Sequence, residues 1–453
     1  MKAPDQEPGE ISREVPGLVR ASVVAILGGL LIGVVGAAFR AGLGWIEARH
    51  LVFTEWALSL GWAGWLLPIL LGAAGAGLAR LLVRPQPLAA GSGVQHIEAI
   101  MRGQAEPISL MAVPIKFFGG LLAIGSGLAL GREGPTIQMG ATIGAALARR
   151  FHCAKAAMVD VQAALGGAGL AVAFNAPFGG ALFVFEEVAR AFHLRLTVVT
   201  LLGTTSAIVT ARFLVGHAPD FQVVPPAPGG TWTLIFYTVL GGLLGLLGVL
   251  YNKCTILGLD ALATLRTWPT ELRAALVGAL VGLVACIFPR LVGGGDPSSQ
   301  AILLGAVPLG PVLLILAVRW FLGPLSYAAG TPGGIFSPLL LVGAALGALF
   351  AMGCNVLIPA ESSLPVVAFA VVGMAAFFTG VVRAPLTGII LISEMTATNT
   401  LMVPMLAAGF GAMLTSSLVR GEPIYDTLRR RMLATLSRPK TEEGRSSGAP
   451  RVG

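Results

Sequence analysis

Uncharged apolar stretches alternate with short polar connections along most of this chain. The runs 21–39, 57–79, 161–185, 221–252, 297–318, 320–360 and 395–419 contain no Asp, Glu, Lys or Arg. A simple membrane-crossing helix needs about 20 apolar residues. Several of these runs fit one crossing, and others are shorter or broken by Gly and Pro. The pattern therefore predicts an all-α polytopic membrane protein with many short, tilted or broken helices. Composition points the same way. Only 11% of the 453 residues are charged, against about 25% in soluble domains. The 61 glycines and 29 prolines, many inside the apolar runs, imply closely packed and interrupted helices.

The formal charge of +8 is not a nucleic-acid signal. Basic residues lie in connections and in the tail, at Arg429, Arg430, Arg431, Arg438, Lys440, Arg445 and Arg451. That distribution suits a C-terminus on the cytoplasmic side, facing anionic lipid. The first 16 residues are polar and mixed in charge, with no visible cleavable signal. Cys153, Cys254, Cys286 and Cys354 share no metal-binding spacing and read as packed thiols. The five histidines are equally scattered, and HExxH, CxxC and a phosphate-binding GK[ST] loop are missing. No metal and no cofactor is expected.

The chain repeats itself. Gly131-x3-Pro135-x4-Gly140-x3-Gly144-Ala145 matches Gly334-x3-Pro338-x4-Gly343-x3-Gly347-Ala348, at an offset of 203 from Pro135 to Pro338. Ala176-Pro177-x2-Gly180-x5-Glu186 matches Ala384-Pro385-x2-Gly388-x5-Glu394, at 208 from Ala176 to Ala384. Gly91-Ser92-Gly93 corresponds to Gly293-Gly294-Gly295, and Gly28-Gly29-Leu30-Leu31 to Gly241-Gly242-Leu243-Leu244. Four matches in one order divide the chain into a polar segment 1–16, a first repeat 17–216, a linker 217–229, a second repeat 230–437 and a disordered tail 438–453. Duplicated halves with broken helices place a binding site where the halves meet, near the bilayer midplane. Inverted topology is expected, because it brings matching helix ends from opposite sides to one point.

Glu133 carries the most chemistry. It sits in Gly131-Arg132-Glu133-Gly134-Pro135, within sequence that otherwise reads as membrane span. A charged carboxylate there costs a few kcal/mol or more. The residues after it read as a helix over 136–148, and a helix start gathers backbone N–H groups toward an anion. Three more segments could deliver helix ends or donors to the same place. Gly91-Ser92-Gly93 precedes a helix-like segment 94–101. Residues 333–338 precede a helix over 339–352. Pro423-Ile424-Tyr425 precedes the last helix. A dehydrated anion suits backbone N–H groups and the Ser92 and Tyr425 hydroxyls, with no full fixed charge to trap it.

These residues resemble the CLC chloride channel/transporter family, most closely a prokaryotic H+/Cl− exchanger without C-terminal regulatory domains. The family's GREGP motif is complete at 131–135. Gly334-Ile335-Phe336-Ser337-Pro338 fits its GxFxP, Tyr425 fits its late tyrosine, and residues 114–120 resemble its segment before GREGP. The family's GSGIP reads Gly91-Ser92-Gly93-Val94-Gln95 here. The serine is kept and the proline is lost, which leaves the preference among chloride, nitrate and other anions open.

The resemblance implies site roles. Ser92 and Tyr425 would offer hydroxyls to a central anion, with the amides of Ile335 and Phe336 as further donors. Gly91, Gly93, Gly131, Arg132, Gly134 and Gly334 would build the pathway. Glu133 would be the external gate and proton carrier. Glu187 stands where the family's exchangers carry the internal proton-transfer glutamate, with Glu186 as a weaker candidate beside it. The resemblance also implies a homodimer in the cell membrane, inner or plasma, with both termini cytoplasmic, exchanging chloride for protons. A passive, voltage- or pH-gated chloride channel is the alternative function. An enzyme is not expected, since no histidine is motif-paired with Ser92 as a nucleophile.

Overall fold

The computed structural model describes residues 8–223 and 229–437. The first seven residues, part of the linker and the tail 438–453 lie outside the described residues. The first half contributes α1 (Pro8–Ser59), α2 (Leu66–Leu82), α3 (Val94–Met101), α4 (Ala112–Gly125), α5 (Glu133–Arg150), α6 (Lys155–Phe174), α7 (Pro177–Phe183) and α8 (Leu194–Val215). The second contributes α9 (Thr233–Thr264), α10 (Thr270–Ile287), α11 (Asp296–Leu303), α12 (Leu309–Ala328), α13 (Phe336–Asn355), α14 (Val366–Val382), α15 (Pro385–Met395) and α16 (Met402–Leu418). One further helix, α17 (Ile424–Leu436), follows. Eight helices therefore match eight in order, and among the described residues there is no strand. Eight helices are long and apolar enough to cross a membrane, and several of the rest are too short. This is a multi-pass membrane protein of the all-α, broken-helix class read from the sequence.

Packing repeats as the sequence does. α1 packs on α8 as α9 packs on α16, and α5 packs on α6 as α13 packs on α14. Two equivalent pairs pack on each other, α2 on α10 and α7 on α15. Equivalent elements in mutual contact straddle a pseudo-two-fold axis. The small residues allow this closeness. A Cβ on Gly72 would strike the Gly278 backbone, and one on Gly278 would strike that of Gly72. α6 and α14, buried along most of their length, form the centre of the core. Each ends on a left-handed residue, Asn175 (φ 50°) and Arg383 (φ 74°), 208 positions apart. A proline then opens α7 and α15, at a first-turn position where no N–H is needed.

Two expected helices begin three residues early. α5 starts at Glu133 and α13 at Phe336. The first turn has no intrahelical acceptors for its N–H groups, so Pro135 and Pro338 fit as third residues rather than helix starts. This moves Glu133 onto the helix itself. α1 likewise begins at Pro8, inside the segment expected to be polar and separate.

Glu186 and Glu394 show the axis most directly. The Glu186 carboxylate accepts bonds from Leu386 N (3.0 Å), Thr387 N (2.6 Å) and Thr387 Oγ1 (2.7 Å). Glu394 accepts bonds from Phe178 N (3.2 Å) and Gly179 N (2.7 Å). Each carboxylate thus caps the N-terminus of the other half's helix, where the dipole favours it. The unfavourable position expected for a carboxylate at its own helix end is offset across the axis. Glu186→Ala and Glu394→Ala are each expected to lower stability by about 1–2 kcal/mol, read as an earlier midpoint in denaturant unfolding of the detergent-solubilised protein.

Candidate functional site

Three chain breaks meet at the axis. Gly91 bridges Pro332, and Gly131 bridges Gly334. Gly131 N donates to Gly334 O (2.9 Å), and Gly334 N donates to Gly131 O (2.8 Å). These two residues are equivalent in the repeat, and reciprocal bonds are what a two-fold axis between them requires. Gly91 N donates to Thr331 O (3.0 Å) and Gly333 N donates to Gly91 O (3.2 Å), fastening the segment before α3 to the same strip. Close approach is strict here. A Cβ on Gly134 would come within 2.8 Å of Ser92 Cα and Oγ, and 3.0 Å of Gly334 Cα. Gly93, at φ 88°, sits in the left-handed region that lets α3 begin at Val94.

Glu133 is fully buried at the centre of this arrangement. Its carboxylate accepts a 2.6 Å bond from Phe336 N and a 3.3 Å bond from Ser337 Oγ. It therefore occupies the N-terminus of α13, a natural anion position. It makes no pair with Arg132. That guanidinium points away, to Asp220 (2.9 Å), Asp296 (3.1 Å) and the Ala173 carbonyl (2.8 Å). Arg40 also pairs with Asp220. The described start of the linker thus docks beside the site. Asn175 Nδ2 and Phe221 N hold it there through Ala218 O and Met395 O.

Ser92 and Tyr425 are fully buried, and neither hydroxyl has a hydrogen-bond partner among the described residues. Ser92 is not a helix cap, since Gly93 holds that position at the start of α3 and no side chain caps it. Leaving such groups unpaired costs about 1–3 kcal/mol each, which an anion accepting from both would offset. The Phe336 ring packs among Phe174, Phe183, Phe378 and Tyr425, so its amide alone reaches the site. Ile335 is the residue just before α13 and is also buried.

Lys116 carries no signal of a transport role in the sequence. It is fully buried and donates to Gly91 O (2.6 Å) and Ser92 O (3.2 Å). Those carbonyls are thereby held on the Lys116 amino group, leaving the Ser92 hydroxyl free toward the site. Lys116→Met is expected to weaken chloride binding roughly tenfold, for about 1–2 kcal/mol of lost hydrogen bonding to the Gly91 and Ser92 carbonyls. Calorimetric titration of the purified protein checks it.

Toward the other end of the site, α7 runs into a π-helical turn over Val184–Val188. Such turns re-aim side chains and are frequent at functional sites. Here the neighbouring glutamates diverge. Glu186 turns to α15, and Glu187 turns inward, only 1% exposed. Arg190 Nη2 lies 3.4 Å from both Glu187 oxygens and 3.1 Å from Asp426. Asp426 follows Tyr425, so the start of α17 touches both the anion position and this inner cluster. Burial works against the Asp426 charge, but hydrogen bonds from Arg429 and Arg190 hold its carboxyl below the usual range. Asp220, Asp296, Ser337, Lys116 and Asp426 carried no local signal in the sequence. Most of their partners lie far along the chain, Arg429 beside Asp426 being the exception. Among the described residues no cluster has metal-ligand geometry.

Known proteins are similar to this chain in sequence and in overall fold. The family described as voltage gated chloride channel matches residues 72–417. An H(+)/Cl(−) exchange transporter ClcA from Cronobacter sakazakii is 34% identical over 420 residues, covering 91% of this chain and 90% of the relative. One of the same name from Vibrio cholerae is 36% identical over 424 residues, covering 90% and 89%. The crystal structure of a slow cyanobacterial Cl−/H+ antiporter superimposes with a TM-score of 0.86 at 30% identity, covering 92% of this chain and 99% of the other.

Proposed function

This chain belongs to the voltage-gated chloride channel (CLC) family, and on that premise we propose that it exchanges chloride for protons across a membrane. The observation that carries the reading is the Glu133 carboxylate on the N-terminus of α13, beside the unpartnered Ser92 and Tyr425 hydroxyls. A removable negative charge there competes with an anion for the same donors. Proton occupancy and anion occupancy are then linked, and linkage is what exchange requires. Ionised, Glu133 fills an anion position. Protonated, it gives up the Phe336 amide, an anion replaces it, and the proton moves with the side chain.

Glu187 supplies the internal end of the proton route. Ser92, Tyr425 and the Ile335 and Phe336 amides hold the central anion. Gly91, Gly93, Gly131, Gly134 and Gly334 let backbone approach it, and Arg132 braces the outer side through Asp220 and Asp296. Glu186 acts as a cap in this reading rather than as a proton carrier, given its three bonds to α15. Chloride and protons are the substrates, and no cofactor takes part. α8, α7, α15 and α16 form a continuous face, with Phe213 and Phe410 exposed on it. A second copy of the chain covers that face in a homodimer. Basic residues at the end of α5 and along α17 support cytoplasmic termini in the cell membrane.

The test is reconstitution into liposomes with a chloride gradient and no proton gradient. Chloride running down its gradient is expected to drive protons uphill. A reversal potential set by chloride alone, unmoved by pH, would instead establish a passive channel.

A further inference from the structure

A cavity of about 170 Å³ lies between the ends of α2, α9 and α12 and the start of α10. The exchange scheme does not use it, and none of its lining comes from α7, α8, α15 or α16. Arg80 and Arg273 line it from two helices, and Leu259 and Leu262 add an apolar wall from α9. Arg80 Nη1 donates to Gly330 O (3.1 Å), and Arg273 Nη1 donates to Leu262 O (3.2 Å). Both acceptors are neutral carbonyls. Arg273 Nε is buried and has no hydrogen-bond partner among the described residues. No acid among the described residues lines the cavity. Glu271, the neighbouring acid on α10, is taken by Arg84 (2.6 Å) and Thr270 (3.2 Å).

Two guanidinium groups beside one cavity repel each other, and an anion between them turns that repulsion into attraction. A buried cationic N–H without an acceptor is costly. The start of α10 adds the positive end of a helix dipole. The volume is several times the roughly 30 Å³ that one water occupies in the liquid, enough for a tetrahedral oxyanion. The planar fork of arginine suits such a group.

The surroundings say where the anion comes from. Asp260, next to Leu259, pairs with Arg431 of α17 (2.5 Å). The cavity is therefore on the membrane side of α17. Arg84 and the exposed Arg266 flank it there, as the positive-inside rule expects of a cytoplasmic face. Leu82, Leu257 and Leu272 are each within two residues of the lining and are exposed. A lipid-facing apolar surface thus adjoins the two arginines.

We propose that this cavity binds the phosphate of an anionic phospholipid from the cytoplasmic leaflet. Arg80 and Arg273 hold the phosphate, and the acyl chains run along the exposed leucines. Ala90 and Gly330 also line the cavity, and each precedes a residue of the central junction, where Gly91 N donates to Thr331 O (3.0 Å). The lipid site backs directly onto the strip that carries Ser92. It holds for an exchanger and for a channel alike, so its test does not depend on proton coupling.

Native mass spectrometry of the detergent-released protein, titrated with phosphatidylglycerol or phosphatidylcholine, is the test. Wild type is expected to bind its first phosphatidylglycerol about tenfold more tightly than phosphatidylcholine. Arg273→Gln should weaken that binding about tenfold. Leu259→Trp, which fills the cavity and leaves both charges, should do the same. Arg266→Gln removes one exposed, screened charge from the same surface and should change it less than about twofold. Equal loss in Arg266→Gln and Arg273→Gln, or unchanged binding in a folded Leu259→Trp, would make the attraction a diffuse surface effect and overturn the site. Equal affinity for the two lipids overturns it as well. Inorganic phosphate at the concentration of the lipid should not displace it. If it does, the occupant is a soluble anion and the lipid assignment fails.

Discussion

Glu133→Ala is expected to abolish uphill proton movement, by about a hundredfold or more, while chloride still crosses. The bond from Phe336 N at 2.6 Å shows what the side chain does. It occupies the donors that an anion needs. Removing it leaves those donors and the Ser92 and Tyr425 hydroxyls to chloride alone, so anion binding tightens as the competitor disappears. It also removes the group that would carry a proton past the anion. Chloride flux through the variant should therefore lose its dependence on external pH. Paired chloride-electrode and pH-electrode traces from the same liposomes measure both. Retained coupling would mean that protons bypass this position, and the gate assignment would fail.

Glu187→Ala is the second large effect, and its signature differs. Proton flux should again fall by about a hundredfold, because the inner end of the route is gone. Glu133 remains in place, so chloride flux should keep its response to external pH. The local structure tolerates the loss, since Arg190 retains Asp426 at 3.1 Å. If Glu187→Ala still pumps protons at the wild-type ratio, the internal role is wrong.

Much of the plan was legible because it is written in small residues at fixed spacings. Gly131 and Gly334, or Asn175–Pro177 and Arg383–Pro385, must recur where a helix has to break and a neighbour has to come close. Ser92 and Glu133 stood out because a polar group in apolar sequence needs a reason, and Tyr425 because it opens the last helix after Pro423. Asp220, Asp296 and Arg429 did not stand out. Each sits in a polar stretch where a charge is unremarkable, and only folding shows that Asp220 faces Arg132 from 88 positions away. Glu186 was legible as a residue but not in its role. A dipole argument applied to its own helix gives the wrong sign, because the helix it serves begins about 200 positions later.

The reciprocal bonds between Gly131 and Gly334 also bear on how this protein is made. As the ribosome delivers the first half, the Gly131 backbone and the Glu186 carboxylate have no mate, because Gly334 and Leu386 have not yet been synthesised. In lipid, such unsatisfied groups are costly. The first half must therefore wait with its central breaks open to water or to a chaperone, and the ion path closes only after residues 331–387 have entered the membrane. Biogenesis of this fold is a two-step assembly with its final lock at the transport site, so substitutions there should reduce the yield of folded protein as well as its activity.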